Sequence, residues 1–295
     1  MRDRQQDLGP GRDLPLDSHL HTDLSPDSDV PIDVYAALAV ERGIAELAIT
    51  DHVDFDSRDP AYDYATFADR ERSVRDAAAR WAPRGVEIRF GVELTFNRAW
   101  EADLRAHLGR HHYDFVIGSV HDWPDSPYIP GRMGTWATGR PLGEVLQPYL
   151  AEVVAAAGSG LFDTIGHLDV VRRYLDPIFS SSEIFNAVEL FEPALRAIVD
   201  SGTALEVNTS GYRRGGGEAY PGPPLVTRYR ELGGERVTAG SDAHRKGQFA
   251  WALEAGYRVL AEAGFAELTF RRGGDRVVIE LPERVRRSGA VGGVA

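Results

Sequence analysis

The sequence predicts an α/β protein, most simply a closed (β/α) barrel built from alternating strands and helices. Seven short apolar segments alternate with amphipathic segments along the 295 residues. Nearly every apolar segment is followed by a histidine or a carboxylate. No Gly-x-Gly-x-x-Gly motif follows the first segment, which disfavours a dinucleotide-binding sheet. A doubly wound open sheet is the alternative architecture.

The composition indicates one sizeable domain without disulfides or thiolate metal sites. The chain is 43% hydrophobic, contains no cysteine and has a formal net charge of -12. It shows neither a basic patch nor an apolar run of the ~20 residues that a membrane helix needs. We therefore expect no nucleic-acid or membrane partner and a cytoplasmic location. We also expect a flexible leader over 1–13, one catalytic domain over 14–283 and a flexible tail over 284–295.

The strands are predicted from short apolar runs that end in polar residues. The first run has Leu14 and Leu16 on one face, because strand side chains alternate with period 2. A β-hairpin is predicted over 267–281, turning at Gly273 and Gly274. The seven predicted strands of the alternating region are 14–21, 46–50, 86–92, 115–120, 162–165, 204–207 and 236–239.

The helices are predicted from apolar stripes and from start signals. Pro31 lies early in the first helix, and Ser180 with Glu183 forms a capping box that predicts the start of the fifth. A Pro- and Gly-rich loop is expected over 122–143. The remaining helices are expected near 64–81, 99–111, 144–157 and 248–263.

Polar residues stand at the carboxyl ends of the predicted strands, the face at which (β/α) barrels hold their active sites. A single such histidine is usually a loop residue, and Asp favours turns. Six of the seven strand ends carry a histidine or a carboxylate, and a pattern of this kind is not expected to arise by chance. The residues concerned are His19, His21, Asp51, His52, Glu93, His121, His167, Asp242 and His244.

These residues predict a multinuclear metal centre. Two histidines spaced as in His19-Leu20-His21 point to the same side of a strand and can chelate one ion. Imidazole with carboxylate suits Zn, Mn or Fe. Nine groups exceed the ligands of one ion, so two or three divalent ions are expected, with Glu93 as a natural bridge. Close metal pairs activate water and clamp phosphoryl oxygens.

The ordered motifs resemble the PHP superfamily (polymerase and histidinol phosphatase). They are His-x-His, Asp-His, a lone Glu, Ser-x-His, Gly-His and Asp-x-His, over about 17–250. The resemblance implies a distorted (β/α)7 barrel and a trinuclear metal centre with three ligand sets. One is His19, His21, Glu93 and Asp242; the second is Glu93, His121 and His167; the third is His52, His244 and Asp27. Some family members have a histidine where this chain has Asp27.

Within this superfamily the chain looks like the histidinol-phosphatase branch. The segments 166–174, 205–211 and 240–244 carry this likeness. It implies hydrolysis of a small phosphate monoester, with Glu93, Asp242 and His244 as candidate catalytic residues. Phosphate contacts are expected from Arg172, Arg173 and Arg213, and Asp51 and Asp169 are expected to orient ligating imidazoles.

Three other functions compete with this interpretation. The first is a PHP phosphoesterase acting on nucleotides or on another small phosphate ester. The second is an amidohydrolase, whose binuclear members bridge metals with a carboxylated lysine; the only lysine here, Lys246, follows the seventh strand. The third is a non-enzymatic metal store or structural module, which should have lost ligands. The oligomeric state stays open.

Overall fold

A computed structural model describes residues 4–5, 14–121, 123, 126–129, 131–175, 178–180, 183–184, 186–213 and 217–289. Over these residues a mostly parallel sheet is flanked by helices, so the predicted α/β class is confirmed. Side chains of the strands and helices, such as Leu47, Phe90 and Leu195, are buried in a single hydrophobic core. Among the described residues, none of the helices combines the length and apolar character that crossing a bilayer requires.

The seven predicted strands all form. In the numbering given next, they are β2, β3 and β5 to β9. The other strands are β1, β4 and the two strands of the hairpin, β10 and β11. In chain order the strands are β1 Arg4–Gln5, β2 Leu14–Leu20, β3 Ile44–Ile49, β4 His52–Val53, β5 Glu87–Thr95, β6 Phe115–Ser119, β7 Thr164–Ile165, β8 Ala204–Asn208, β9 Val237–Gly240, β10 Glu267–Arg272 and β11 Asp275–Glu280.

The strand order is β1-β11-β10-β9-β8-β7-β6-β5-β3-β2, with β4 paired to β5. The pairs from β2 to β9 are parallel, whereas β10 is antiparallel to both β9 and β11. The predicted hairpin turn is present, because Gly273 and Gly274 adopt the positive φ angles of 55° and 89° that favour glycine.

The first and last parallel strands adjoin at their carboxyl ends. Leu20 of β2 forms a parallel bridge with Ala243, which follows β9. The Asp242 N–H donates to the His19 carbonyl at 2.8 Å, and the His21 N–H donates to the Ala243 carbonyl at 3.0 Å. These bonds bring the motifs of the first and seventh predicted strands side by side.

Helices cover the sheet in the expected alternation. The helix Ile32–Arg42 (α1) is capped by Gly43, whose φ of 69° is left-handed. The helix Phe67–Trp81 (α2) begins after Thr66, whose side chain accepts the Asp69 N–H. The helices are α1 Ile32–Arg42, α2 Phe67–Trp81, α3 Glu101–Arg110, α4 Met133–Ala137, α5 Leu142–Gly158, α6 Arg172–Leu175, α7 Val188–Ser201, α8 Pro223–Glu231, α9 Leu253–Glu262 and α10 Glu283–Gly289.

The predicted start of the fifth helix was wrong. The capping box forms, since the Glu183 N–H donates to Ser180 Oγ at 3.2 Å and Glu183 accepts the Ser180 N–H at 2.7 Å. The long helix α7 nevertheless begins only at Val188, because Ala187 has the non-helical angles φ −95° and ψ 40°. Ser180 of the box therefore precedes the helical residues Glu183 and Ile184, and the main helix begins separately at Val188.

Several helices were missed. Helix α4 lies inside the expected loop 122–143, α6 follows β7 directly, and α8 has Pro223 in its first turn. Helix α10 covers part of the expected tail, because Val285 is buried against the core. Residues 1–3, 6–13 and 290–295 lie outside the described residues, so the flexibility of both ends stays a prediction.

Candidate metal centre

The first ligand-type side chains come from neighbouring strands. His19 lies in β2 and His21 follows it directly, and both are buried. His52 begins β4, where it is paired in register with Glu93 of β5. Glu93 therefore lies within its strand and not after the strand end, which corrects the predicted boundary. Extended backbone at these positions turns the side chains toward the same pocket.

Loops that follow the strands supply the remaining groups. His121 follows β6, His167 follows β7, and Asp242 and His244 follow β9. Asp27 comes from the loop between β2 and α1. All nine residues proposed as metal ligands from the sequence lie in this one region of the protein, as the contacts below describe.

Glu93 occupies the middle of the cluster. Its two carboxylate oxygens lie 3.0–3.4 Å from ring nitrogens of five imidazoles. The Ser119 hydroxyl also donates to Glu93 Oε1 at 2.5 Å. The side chain of Glu93 is 1% exposed. A buried carboxylate with two oxygens shared among five ring nitrogens fits a bridging ligand. The imidazoles belong to His19, His21, His52, His121 and His167.

Three subsets of the cluster could each hold a metal ion. Within each subset the ligand atoms lie within 4.8 Å of one another. Asp27 joins the first subset, because its Oδ2 lies 3.4 Å from His52 Nε2 and 3.0 Å from His244 Nε2. The subsets are His21, His52 and His244; His19, His21 and Asp242; and Glu93, His121 and His167.

The ring nitrogens are left available for ligation. Within the described part of the chain, His19 Nε2 and both ring nitrogens of His21 make no hydrogen bond although they are buried. Such groups are costly to bury unless another partner satisfies them. Burial and the neighbouring His244 and His52 also hold the pKa of His21 well below its usual value, which favours the neutral imidazole that binds metals.

Electrostatics favour ionised carboxylates in the cluster. Burial acts to raise the pKa of Glu93, but His19, His52 and His121 hold it well below its usual range. The pKa of Asp242 is lowered in the same way by His19 and His21 against the effect of burial. Anionic oxygens beside imidazoles are a donor set that suits Zn, Mn or Fe.

Two of the ligand-type residues have an uncommon backbone conformation. His167 and Asp242 have positive φ angles of 20° and 51°, which residues other than glycine adopt uncommonly. Asp242 is held there by the hydrogen bond from its N–H to the His19 carbonyl. Strain of this kind persists where the surrounding structure over-determines it, and it clusters at functional sites.

One buried acid that contacts the cluster was missed from the sequence. Glu206 of β8 is fully buried, and its Oε1 lies 2.7 Å from His19 Nδ1. A charged residue in the apolar run 204–207 was the available signal. The two acids expected in this orienting role bind elsewhere. Asp51 accepts from the N–H and hydroxyl of Thr22, and Asp169 pairs with Arg172 at 2.6 Å.

The three candidate phosphate-binding arginines have different surroundings. The buried Arg172 pairs with Asp169, donates to the Ala219 carbonyl and stacks on Tyr220. Arg173 and Arg213 instead line the cavity of about 660 Å³ that opens over the cluster.

Comparison with protein families places the chain in a known class. The model of the PHP domain family matches residues 17–210, more than half of the chain. The chain therefore belongs to the PHP domain family.

Relatives with similar sequences include proteins named as histidinol-phosphatases. A protein of Deinococcus radiodurans named probable histidinol-phosphatase is 31% identical over 86% of this chain and 96% of its own length. The histidinol-phosphatase of Lactococcus lactis is 25% identical over 86% of this chain and 93% of its own length.

Solved structures share the fold. The histidinol phosphate phosphatase of Lactococcus lactis, complexed with Zn, L-histidinol and phosphate, aligns with a TM-score of 0.75 at 24% identity. That alignment covers 89% of this chain and 98% of the other. A putative histidinol phosphatase from Listeria monocytogenes aligns with a TM-score of 0.68 at 18% identity over 81% of this chain.

Proposed function

We propose that the protein hydrolyses L-histidinol phosphate to L-histidinol and phosphate, as its named relatives indicate. The observation that carries this proposal is the Glu93 carboxylate among five imidazoles, in a chain that aligns over nearly the whole length of those relatives. Such a cluster serves a metal-dependent phosphatase of small phosphate esters.

The same proposal includes two or three divalent ions, Zn, Mn or Fe. Two ligand sets would share Glu93: one adds His19, His21 and Asp242, and the other adds His121 and His167. A third set would consist of Asp27, His52 and His244. Bound divalent ions supply charge neutralisation on phosphoryl oxygens and lower the pKa of water.

We further propose that the strands β2, β3 and β5 to β9 form a distorted barrel around this centre. The bridge between Leu20 and Ala243 supports closure, as does the 2.8 Å contact of Ser18 Oγ with Thr238 Oγ1 across β2 and β9. Closure would put the ligand sets on one rim, because the carboxyl ends of parallel strands then converge.

The chain's own residues would bind and orient the substrate. Arg173 lines the cavity, and its guanidinium could fork onto phosphate oxygens. Arg213 also lines it, but donates to the carbonyls of Ser241 and Asp242 at 2.7 Å each. Arg213 would therefore hold the Asp242 loop while it faces the phosphate. Arg172 would act one layer behind, through its ion pair with Asp169.

A substrate comparison tests the proposal. The purified protein, supplied in turn with Mn²⁺, Zn²⁺ and Fe²⁺, is assayed for phosphate release from L-histidinol phosphate and from nucleoside monophosphates. We expect kcat/KM for L-histidinol phosphate to be higher by at least about 10-fold, a difference of ~1.4 kcal/mol in transition-state binding. Preference for a nucleotide would make the protein a PHP phosphoesterase with another substrate. No hydrolysis with any metal would contradict phosphatase activity.

A further inference from the structure

Glu206 lies at the centre of β8 and is completely shielded from solvent. Its neighbours Leu205 and Val207 are buried apolar residues, so the charge interrupts an apolar strand. An ionised carboxylate at such a position is costly unless its oxygens are all engaged. The contacts of the two oxygens therefore indicate why an acid stands here.

The first oxygen determines the hydrogen position on His19. Glu206 Oε1 lies 2.7 Å from His19 Nδ1, and an ionised carboxylate can only accept a hydrogen bond. The Nδ1 atom must then carry a hydrogen, so in the neutral imidazole that binds a metal ion the lone pair lies on Nε2. That Nε2 faces Glu93 Oε2 at 3.3 Å and Asp242 Oδ1 at 3.9 Å, inside the candidate metal centre.

The second oxygen holds another ligand-type residue. Glu206 Oε2 accepts the backbone N–H of His167 at 2.9 Å and the Asn208 side-chain amide at 3.2 Å. His167 has the uncommon φ angle of 20°, and its ring Nε2 lies 3.0 Å from Glu93 Oε1. The carboxylate thus anchors a strained turn whose side chain faces the same centre.

Two glycines leave room for this arrangement. A Cβ at Gly240 would lie 2.3 Å from His19 Cβ and 3.0 Å from Glu206 Oε1. A Cβ at Gly166 would lie 2.4 Å from Ser119 Oγ and 3.5 Å from Glu206 Oε2. Distances below 3.0 Å require displacement, so glycine at the end of β9 and just after β7 permits the close approach of His19 and Ser119 beside the Glu206 carboxylate.

We propose that Glu206 is a positioning residue that aligns the ligands of two metal groups at once. One oxygen sets His19 for the group of His19, His21 and Asp242, and the other sets His167 for the group of Glu93, His121 and His167. The inference rests on the proposed metal-dependent function, but it concerns metal affinity and not the identity of the substrate. Outer-shell residues of this kind typically contribute 10–100-fold to metal affinity.

The variant Glu206→Gln separates the two bonds with little change in shape. The single oxygen of a glutamine amide can accept from His19 Nδ1 or from the His167 N–H. The NH₂ group then faces the remaining one of these two donors, and no hydrogen bond forms there. We expect Zn²⁺ affinity, measured by competition with a chromophoric chelator, to fall about 10–100-fold. The chelator-treated variant should still unfold cooperatively. The matched control is Glu152→Gln, a nearly buried acid paired with Arg98, which should keep wild-type Zn²⁺ affinity.

The outcomes distinguish the role of Glu206 from the proposed function. Wild-type Zn²⁺ affinity in folded E206Q overturns the positioning role. If E206Q does not fold, the variant with the shorter acid, Glu206→Asp, is measured instead. Wild-type Zn²⁺ affinity in that variant would also overturn the positioning role. Failure of both variants to fold would show a purely structural acid and would also overturn the proposal. Lost Zn²⁺ affinity in a protein that hydrolyses no histidinol phosphate supports Glu206 and refutes only the substrate.

Discussion

Two buried acids of the same type lie toward opposite ends of the parallel sheet. Glu46 lies near the amino end of β3 and Glu93 toward the carboxyl end of β5, and each side chain is 1% exposed. Glu46 is paired in register with Glu87. The strand length from there to Glu93 separates the two acids by roughly 20 Å.

The partners of the two acids differ. Glu46 pairs with two guanidinium groups, that of Arg89 at 3.2 Å and that of Arg272. Glu93 contacts no guanidinium within the described residues and is surrounded by imidazoles, some of whose buried nitrogens lack hydrogen bonds there. The two acids are equally buried, but one is surrounded by guanidinium groups and the other by imidazoles.

This difference in partners distinguishes the acid of the candidate metal centre from the acid of an ion-pair network. A guanidinium stays protonated and has no lone pair to offer, so the Glu46 cluster is complete as an ion-pair network. A neutral imidazole offers a lone pair to a metal ion, so the Glu93 cluster could hold a further cation. Partner chemistry separates a structural acid from a ligating acid when burial cannot.

The largest effect is expected from Glu93→Gln. The variant removes the charge shared by five imidazoles, so we expect turnover to fall by at least about 100-fold, beyond the range for outer-shell residues. Bound metal, measured by inductively coupled plasma mass spectrometry after dialysis, should fall in parallel. Wild-type metal content with wild-type turnover would refute the bridging role of Glu93.

The matching change at the other end is Glu46→Gln. Removing one partner leaves the guanidiniums of Arg89 and Arg272 without their shared acid, and Arg272 is only 16% exposed. We expect the free energy of unfolding to fall by about 3 kcal/mol in urea titration. Metal content and KM should stay at wild-type values. Metal loss in E46Q without loss of stability would contradict the division between the two clusters.

Much of this contrast was accessible from the sequence. The motifs around His19, His52 and His244 follow short apolar runs, so period-2 alternation and the common direction of parallel strands predicted their convergence. The α/β class, the order of seven strands and the family membership are confirmed. The nine candidate ligands lie close together and Arg172 does not line the cavity, but the roles of all these residues stay predictions.

What the sequence did not reveal depends on tertiary contacts. Glu206 and Glu46 both appear as an acid inside an apolar strand, and only the fold shows that one faces a histidine and the other arginines. The start of α7 was misplaced because the local capping box at Ser180 forms without propagating into the long helix. Arg172 looked like a phosphate ligand because nothing in its sequence context reveals the ion pair with Asp169.

A third acid, which is only partly buried, lies between these two extremes. Asp163, just before β7, accepts the Val116 N–H at 2.9 Å, and the guanidinium Nε of Arg271 lies 3.9 Å from its carboxylate. Burial raises its pKa to about 6, because the backbone N–H and the distant guanidinium compensate only in part. By contrast, Arg75 holds the pKa of Asp114 below its usual value against the effect of burial.

The smallest effect is expected from Asp163→Asn, and it depends on pH. A folded-state pKa of about 6 exceeds the unfolded value, so this acid favours folding at low pH and loses that contribution as pH rises toward 6. Asparagine keeps an acceptor for the Val116 N–H without ionising. The free energy of unfolding of D163N minus that of wild type should therefore increase by roughly 1 kcal/mol from about pH 5 to about pH 7.5. For Asp114→Asn the same difference should stay constant over this range, because the lowered pKa of Asp114 keeps it ionised throughout. A constant difference for D163N would mean that hydrogen bonds and ion pairs offset the burial of the Asp163 carboxylate as fully as they do for Glu46. Asp163 would then not represent a third kind of acid beside Glu46 and Glu93.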